Sequence, residues 1–182
     1  MAFPAFFDAC TLYGIRLTDL LLRLADAGAF RALWSDEVLE EVRRNVIRSG
    51  VDEAAIDHRI TAMHQFFPDA LVTGYEPLTA SMTCDPKDRH VLAAAIRSKA
   101  DVLVTFNVRD FPDSALDPFD VEVVHPDDFL LDQLDLFPGL VTRVLRELAE
   151  DYIDPPVSMD DVLESLRRAG VPRFVADVRR HL

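Results

Sequence analysis

The chain has 182 residues, 49% hydrophobic and 28% charged, an ordinary balance for one domain or one domain with an appendage, but its formal net charge is −13. Such an acidic surface repels nucleic acid and anionic membranes, so a phosphate-bearing substrate needs a local cation or an arginine cluster. No apolar run approaches the roughly 20 residues of a membrane span. The opening MAFPAFFDAC lacks a basic leader, and Cys10 and Cys84 are too few for a disulfide framework, so a cytoplasmic protein with reduced thiols is expected.

In chain order, FPAFF (3–7) predicts a short buried strand ending at Asp8. Residues 18–29 predict a helix with Gly28 near its stop, and FRALW (30–34) a second strand. Ser35 caps a helix over 36–48, with Asp36 and Glu37 at its positive end. Residues 51–67 read as a helix stopped by Pro68. ALVTGY, within the ambiguous stretch 69–82, is a strand candidate. Residues 86–99 read as helix, DVLVTF (101–106) as a buried strand and VEVV (121–124) as the last strand. Strands alternating with helices predict an α/β fold with a parallel sheet covered on both faces. After His125 the character changes to short helices punctuated by Pro138, Pro155-Pro156 and Gly170-Val171-Pro172, one opening on a capping box of Ser158 and Asp161. A boundary near 125 divides residues 1–125 from a helical extension, 126–182.

The polar residues at the element ends are mostly acidic. Asp8 follows the first strand; Asn107 and Asp110 follow the strand at 101–106. Asp85 and Asp88 open the helix that leads back into that strand. In a parallel sheet, sites lie beyond the carboxyl ends of the strands, so these residues are expected on one rim. Asp85, followed by Pro86, is also a good N-cap, and first-turn acids such as Asp88 favour the helix dipole. Capping accounts less well for Asp88, which lies three, four and seven residues before Val91, Leu92 and Ala95 and so points along the buried stripe, where a carboxylate needs a partner. On the helix 36–48 the inner face is Val38, Leu39, Val42 and Val46; Glu41 flanks it, while Glu37 and Glu40 turn outward.

Carboxylates crowded on one rim repel each other, and no lysine or arginine cluster of matching size is interleaved with them. A hard divalent cation is the economical counter-charge, and all-oxygen ligands select Mg²⁺ or Mn²⁺ over zinc. The five histidines show no metal-ligand spacing, and His90, one face round from Asp88, is expected to be exposed. No glycine-rich phosphate loop or serine-nucleophile elbow is present.

FFDACTLY, SDEVLEEV and DPKDRHVLAAAIRSKADVLVTFNVRDFP, in that order, resemble the acidic motifs of PIN-domain ribonucleases, above all the VapC-like toxins of toxin–antitoxin pairs, over roughly residues 3–125. The resemblance implies an α/β/α sandwich around a central parallel sheet and an Mg²⁺- or Mn²⁺-dependent endoribonuclease. By position Asp8, Glu41 and Asp88 match the first three family acids, Asp85 is an additional acid, and Thr105 and Asn107 match the threonine and the fourth acidic position. Asp8, Glu41, Asp85, Asp88 and Asp110 are the expected metal residues, and Asp8, Glu41, Asp88, Thr105 and Asn107 the catalytic ones, with Thr105 and Asn107 positioning water or the scissile phosphate. Arg16, Arg43, Arg44, Lys87, Arg89 and Arg109 are candidates for flanking phosphates. The implied partners are RNA (tRNA or another structured RNA) and a cognate antitoxin that neutralises the acidic groove; the C-terminal helices are candidates for its seat or for a homodimer edge. Two departures stand out. Asn107 replaces a carboxylate, and Cys10 replaces the usual asparagine, an expected loss of support for Asp8. They keep a second reading open, a weakly active or inactive PIN-like module that binds RNA or protein. A receiver-type phosphoacceptor is disfavoured, because no lysine follows DVLVTF or VEVV.

Overall fold

The apolar runs at the expected places become four short parallel strands. The computed structural model describes residues 2–153 and 155–181. Strand β1 is Pro4–Phe7, and a 3-10 turn, Ala9–Leu12, follows it. Helix α1 (Ile15–Asp26) leads to β2 (Arg31–Leu33), then α2 (Asp36–Arg48), α3 (Glu53–Phe66) and the short α4 (Glu76–Thr79). A 3-10 turn, Pro86–Asp88, opens α5 (Arg89–Arg97); β3 (Val102–Val104), the short α6 (Asp113–Leu116) and β4 (Glu122–Val124) complete the α/β part. The extension is helical throughout: α7 (Pro126–Leu136), α8 (Pro138–Asp151), α9 (Met159–Arg168) and α10 (Pro172–His181). Leu182, the end of the last expected helix, lies outside the described residues.

The strand order is β2-β1-β3-β4 and every pairing is parallel. From β1 the chain crosses one way to β2, then returns past β1 to β3. Right-handed crossovers therefore put α1 on one face and α2–α5 on the other. The carboxyl ends of β1 and β3 adjoin where the strand order reverses, the place where open α/β sheets put their sites. ALVTGY contributes one parallel bridge, Leu71 to Trp34, at the β2 edge rather than a full strand.

Local chemistry explains most boundaries. The Ser35 hydroxyl accepts from the Val38 amide (3.3 Å) to start α2, whose buried face is the expected Val38, Leu39, Val42 and Val46. Gly28 ends the α1 segment at φ +85°, a conformation that favours glycine. Helix α1 starts three residues before the expected position. Its N-cap is Gly14, without a side-chain cap, and Ile15 is exposed, so the sequence carries no start signal there. The capping box of Ser158 and Asp161 forms as expected.

The extension shares the core of the α/β part. From α7, Phe129 packs edge-on against Phe7 and Phe30, with ring centroids 5.7 and 5.0 Å apart. Truncating a ring at such a site costs about 3–5 kcal/mol. At the other end, a Cβ added to Gly170 would meet the Phe106 ring at 2.8 Å. The α9–α10 turn thus lies directly on the segment that carries Thr105 and Asn107.

Candidate active site

Asp8 leaves β1 at the switch point and is held there by its neighbours. Its Oδ1 accepts from the Ala9 amide (2.7 Å), capping the 3-10 turn. Its Oδ2 accepts from the Thr105 hydroxyl (2.7 Å) and the Cys10 thiol (3.2 Å). Thr105 is fully buried, and its oxygen also accepts from the Asn107 amide (3.0 Å). In this structure the Thr105 hydroxyl is therefore turned to Asp8 and fixes that carboxylate. Cys10 likewise does not leave Asp8 unsupported: the thiol contacts both Asp8 and Thr105, and burial together with the Asp8 charge pushes its pKa up to about 12.

Asp85 and Asp88 behave differently from each other. Asp85 is exposed, and its Oδ1 accepts from the Lys87 amide (3.1 Å), so it does cap the turn. Asp88 makes no side-chain cap hydrogen bond, is 8% exposed, and its Oδ2 is buried with no hydrogen-bond partner. The backbone amide of Asp85 reaches the Asp110 carbonyl (3.4 Å), which draws the two motif loops together. The result is a compact group. Asp85, Asp88 and Asp110 each present an oxygen within 4.8 Å of the others. Burial raises the Asp88 carboxyl to about 7; Lys87 opposes the shift, and the Asp8, Asp110 and Asp85 charges add to it. An all-oxygen donor set containing a buried carboxylate oxygen without a donor suits a hard divalent cation.

Asp8 and Glu41 stand outside that compact group. Glu41 Oε1 accepts from the Tyr13 hydroxyl (3.1 Å), and its Oε2 is 4.0 Å from His90 Nε2. The side chain is about one-third exposed, on the flank of the α2 face as its helical position predicts. Asn107 is exposed and makes no capping bond with its side chain.

Three further expectations change. His90 is not exposed: its side chain is 14% accessible, because α2 covers it with Glu37 (3.6 Å) and Glu41. A lysine does enter the acidic group, with Lys87 Nζ 3.1 Å from Asp110 and 3.9 Å from Asp88. Several of the basic residues are already engaged. Arg43 pairs with Asp57 (2.7 Å) and Glu53, Arg16 lies 5.4 Å over the Tyr152 ring, and Arg89 Nε points to the Cys84 carbonyl; Arg44 and Arg109 are exposed. Both cysteines are free. Among the described residues no helix is long and apolar enough to cross a membrane. The residues that sequence reasoning missed are Tyr13 and the inward turn of His90. A tyrosine five residues after the first acid was the available signal.

A wide groove of about 720 Å³ runs between α1 and α3 to Tyr152, and none of its lining residues belongs to the acidic set. The acidic residues therefore converge away from this groove.

A four-stranded parallel sheet with acids gathered at its switch point defines a class, and comparison with known proteins agrees. The PIN domain family matches residues 5–109, so the chain belongs to the PIN-domain family. Residues 126–180 match the family described as VapC50 C-terminal domain. Among curated proteins the chain is 47% identical over 117 residues to "Putative ribonuclease VapC50" of Mycobacterium tuberculosis (strain ATCC 25618 / H37Rv), covering 62% of this chain and 69% of that protein. No solved structure matches the chain.

Proposed function

We propose that this chain is an endoribonuclease of the VapC type, the toxin of a toxin–antitoxin pair, and that it cuts RNA phosphodiester bonds with the help of Mg²⁺ or Mn²⁺. The carrying observation is Asp88, a buried carboxylate with one oxygen left without a donor, grouped with Asp85 and Asp110. A VapC-type relative named as a ribonuclease supports the reaction class.

Asp85, Asp88 and Asp110 would hold the cation, with Asp8 behind them and Glu41 completing the outer edge. A divalent ion bound there supplies Lewis-acid polarisation of phosphoryl oxygens and makes water a nucleophile near neutral pH. Asp8 is kept in place by Thr105 and Cys10, and its charge adds to the field at Asp88. Asn107 lies at the exposed rim, where its amide can hydrogen-bond a phosphate without adding charge. Lys87 neutralises part of the pocket, and the exposed Arg44 and Arg109 are the candidates for flanking phosphates. With a net charge of −13, nonspecific RNA binding is weak, which favours recognition of a structured target such as tRNA.

The same reading carries a cognate antitoxin whose cationic side chain neutralises the acidic pocket, a homodimer as the working assembly, a cytoplasmic location, and a division into a nuclease unit (1–125) and a helical extension (126–182). Asn107, uncharged where a carboxylate is expected, favours the second reading of a weakly active RNA- or protein-binding module. Incubation of the purified chain with a tRNA pool decides between them. The nuclease reading expects discrete fragments with Mg²⁺ or Mn²⁺, none in EDTA, and recovery on adding metal back. Metal binding with intact RNA supports the module instead.

A further inference from the structure

Glu41 is the one expected acid that reaches the site from α2; its carboxylate is held by a hydrogen bond on one side and faces a histidine ring on the other. The Tyr13 hydroxyl donates to Oε1 at 3.1 Å and itself accepts from Asn45 Nδ2 at 3.0 Å. Asn45 also donates to the Glu41 carbonyl (3.0 Å), so the tyrosine and the glutamate are fixed by the same amide. The Tyr13 backbone is pinned as well. Arg59 donates to its carbonyl (3.4 Å), to the Leu12 carbonyl and to the Thr18 hydroxyl (3.1 Å). On the other side stands His90, with Nε2 4.0 Å from Glu41 Oε2 and Nδ1 3.6 Å from Glu37 Oε2. Glu37 is in turn held by the Tyr75 hydroxyl at 3.0 Å. Tyr13 belongs to the Asp8 segment and His90 to the Asp88 helix. Glu41 is therefore the point where three stretches of chain, far apart in sequence, meet.

We infer that Tyr13, backed by His90, is a positioning residue that sets the Glu41 carboxylate at the edge of the acidic pocket. The geometry favours this over simple packing. A tyrosine needed only for its ring has no use for a hydroxyl that both donates to Glu41 and accepts from Asn45. Partners that orient the groups around a metal typically change its affinity or the rate by about 10–100-fold when removed.

The inference rests on the nuclease reading, and its test separates the two. Mn²⁺ is titrated calorimetrically into the full chain and into Tyr13→Phe, and RNA cleavage is followed at saturating Mn²⁺. Tyr13→Phe should weaken Mn²⁺ binding by about tenfold and lower kcat to a similar degree, with KM for RNA within about twofold. His90→Ala should weaken Mn²⁺ binding in the same direction, and His90→Gln, which keeps a donor at that place, should recover part of the loss. Wild-type Mn²⁺ affinity in Tyr13→Phe, even with a lowered melting temperature, overturns the inference and leaves Tyr13 a packing residue. If the unmodified chain cuts no RNA, the nuclease reading fails, while the Mn²⁺ comparison still decides the role of Tyr13.

Discussion

Two buried aspartates, one in each part of the chain, show opposite ways of placing a carboxylate inside a protein. Asp127, on α7 of the extension, is 4% exposed and fully used: its two oxygens accept from the amides of Arg173 (3.0 Å) and Phe174 (2.8 Å), the free donors at the start of α10. It locks two helices together, and its burial is offset by hydrogen bonds to its charged form. Asp88, at the sheet edge, is 8% exposed but has an oxygen with no donor at all, and other carboxylates for neighbours. Among the described residues the basic group that pairs with it is Lys87, at 3.9 Å. Burial alone does not distinguish structure from function; the hydrogen-bond partners do. At Asp127 donors match the buried charge, whereas at Asp88 the rim keeps an electrostatic cost, which the proposed cation would relieve.

Breaking each aspartate should produce opposite phenotypes. Asp88→Asn should lower RNA cleavage by more than about 100-fold, beyond the usual effect of losing an outer partner of a metal site, while the melting temperature in EDTA at neutral pH stays equal or rises. Cleavage assays and thermal melts on one preparation check both halves. Asp127→Ala should do the reverse. It leaves two helix-start amides without an acceptor, costing about 2 kcal/mol, roughly 4–8 °C in Tm at this chain length, with cleavage per folded molecule nearly unchanged.

A smaller effect sharpens the contrast through pH. The folded protein raises Asp88 to about 7, while an unfolded aspartate titrates near pH 3.9. Between those values the folded state holds more protons at this group than the unfolded state does. Its contribution to stability is therefore most favourable at low pH, falls as pH rises from about 4 to about 7, and is flat above. Metal-free melts across that window should show this decline in the unmodified chain, and the difference from Asp88→Asn isolates it. Asp127→Ala should leave that decline in place.

Much of this molecule was legible in the sequence because its signals are local. Buried runs such as VLV in β3, the Ser35 cap of α2 and the Ser158–Asp161 capping box need only neighbours along the chain to act. The helical period also placed Asp88 inward and Glu41 on its flank. What stayed hidden depends on contacts between distant segments. His90 looks exposed when judged from α5 alone, and α2 buries it. Thr105 turns its hydroxyl to Asp8 across 97 residues, a contact that only the folded chain reveals. Cys10 reads as a lost polar group until the thiol is seen against Asp8 and Thr105. The start of α1 at a glycine and an exposed isoleucine has no sequence signature at all.

The most direct test of the central claim is calorimetric titration of Mn²⁺ into the unmodified chain and into Asp88→Asn at pH 7.5, before any RNA is added. A saturable site in the first that is lost or weakened by more than about tenfold in the second is the expected result. Equal Mn²⁺ affinity in the two proteins would mean that Asp88 is buried for some other reason, and that the acids at the sheet edge do not form a metal centre.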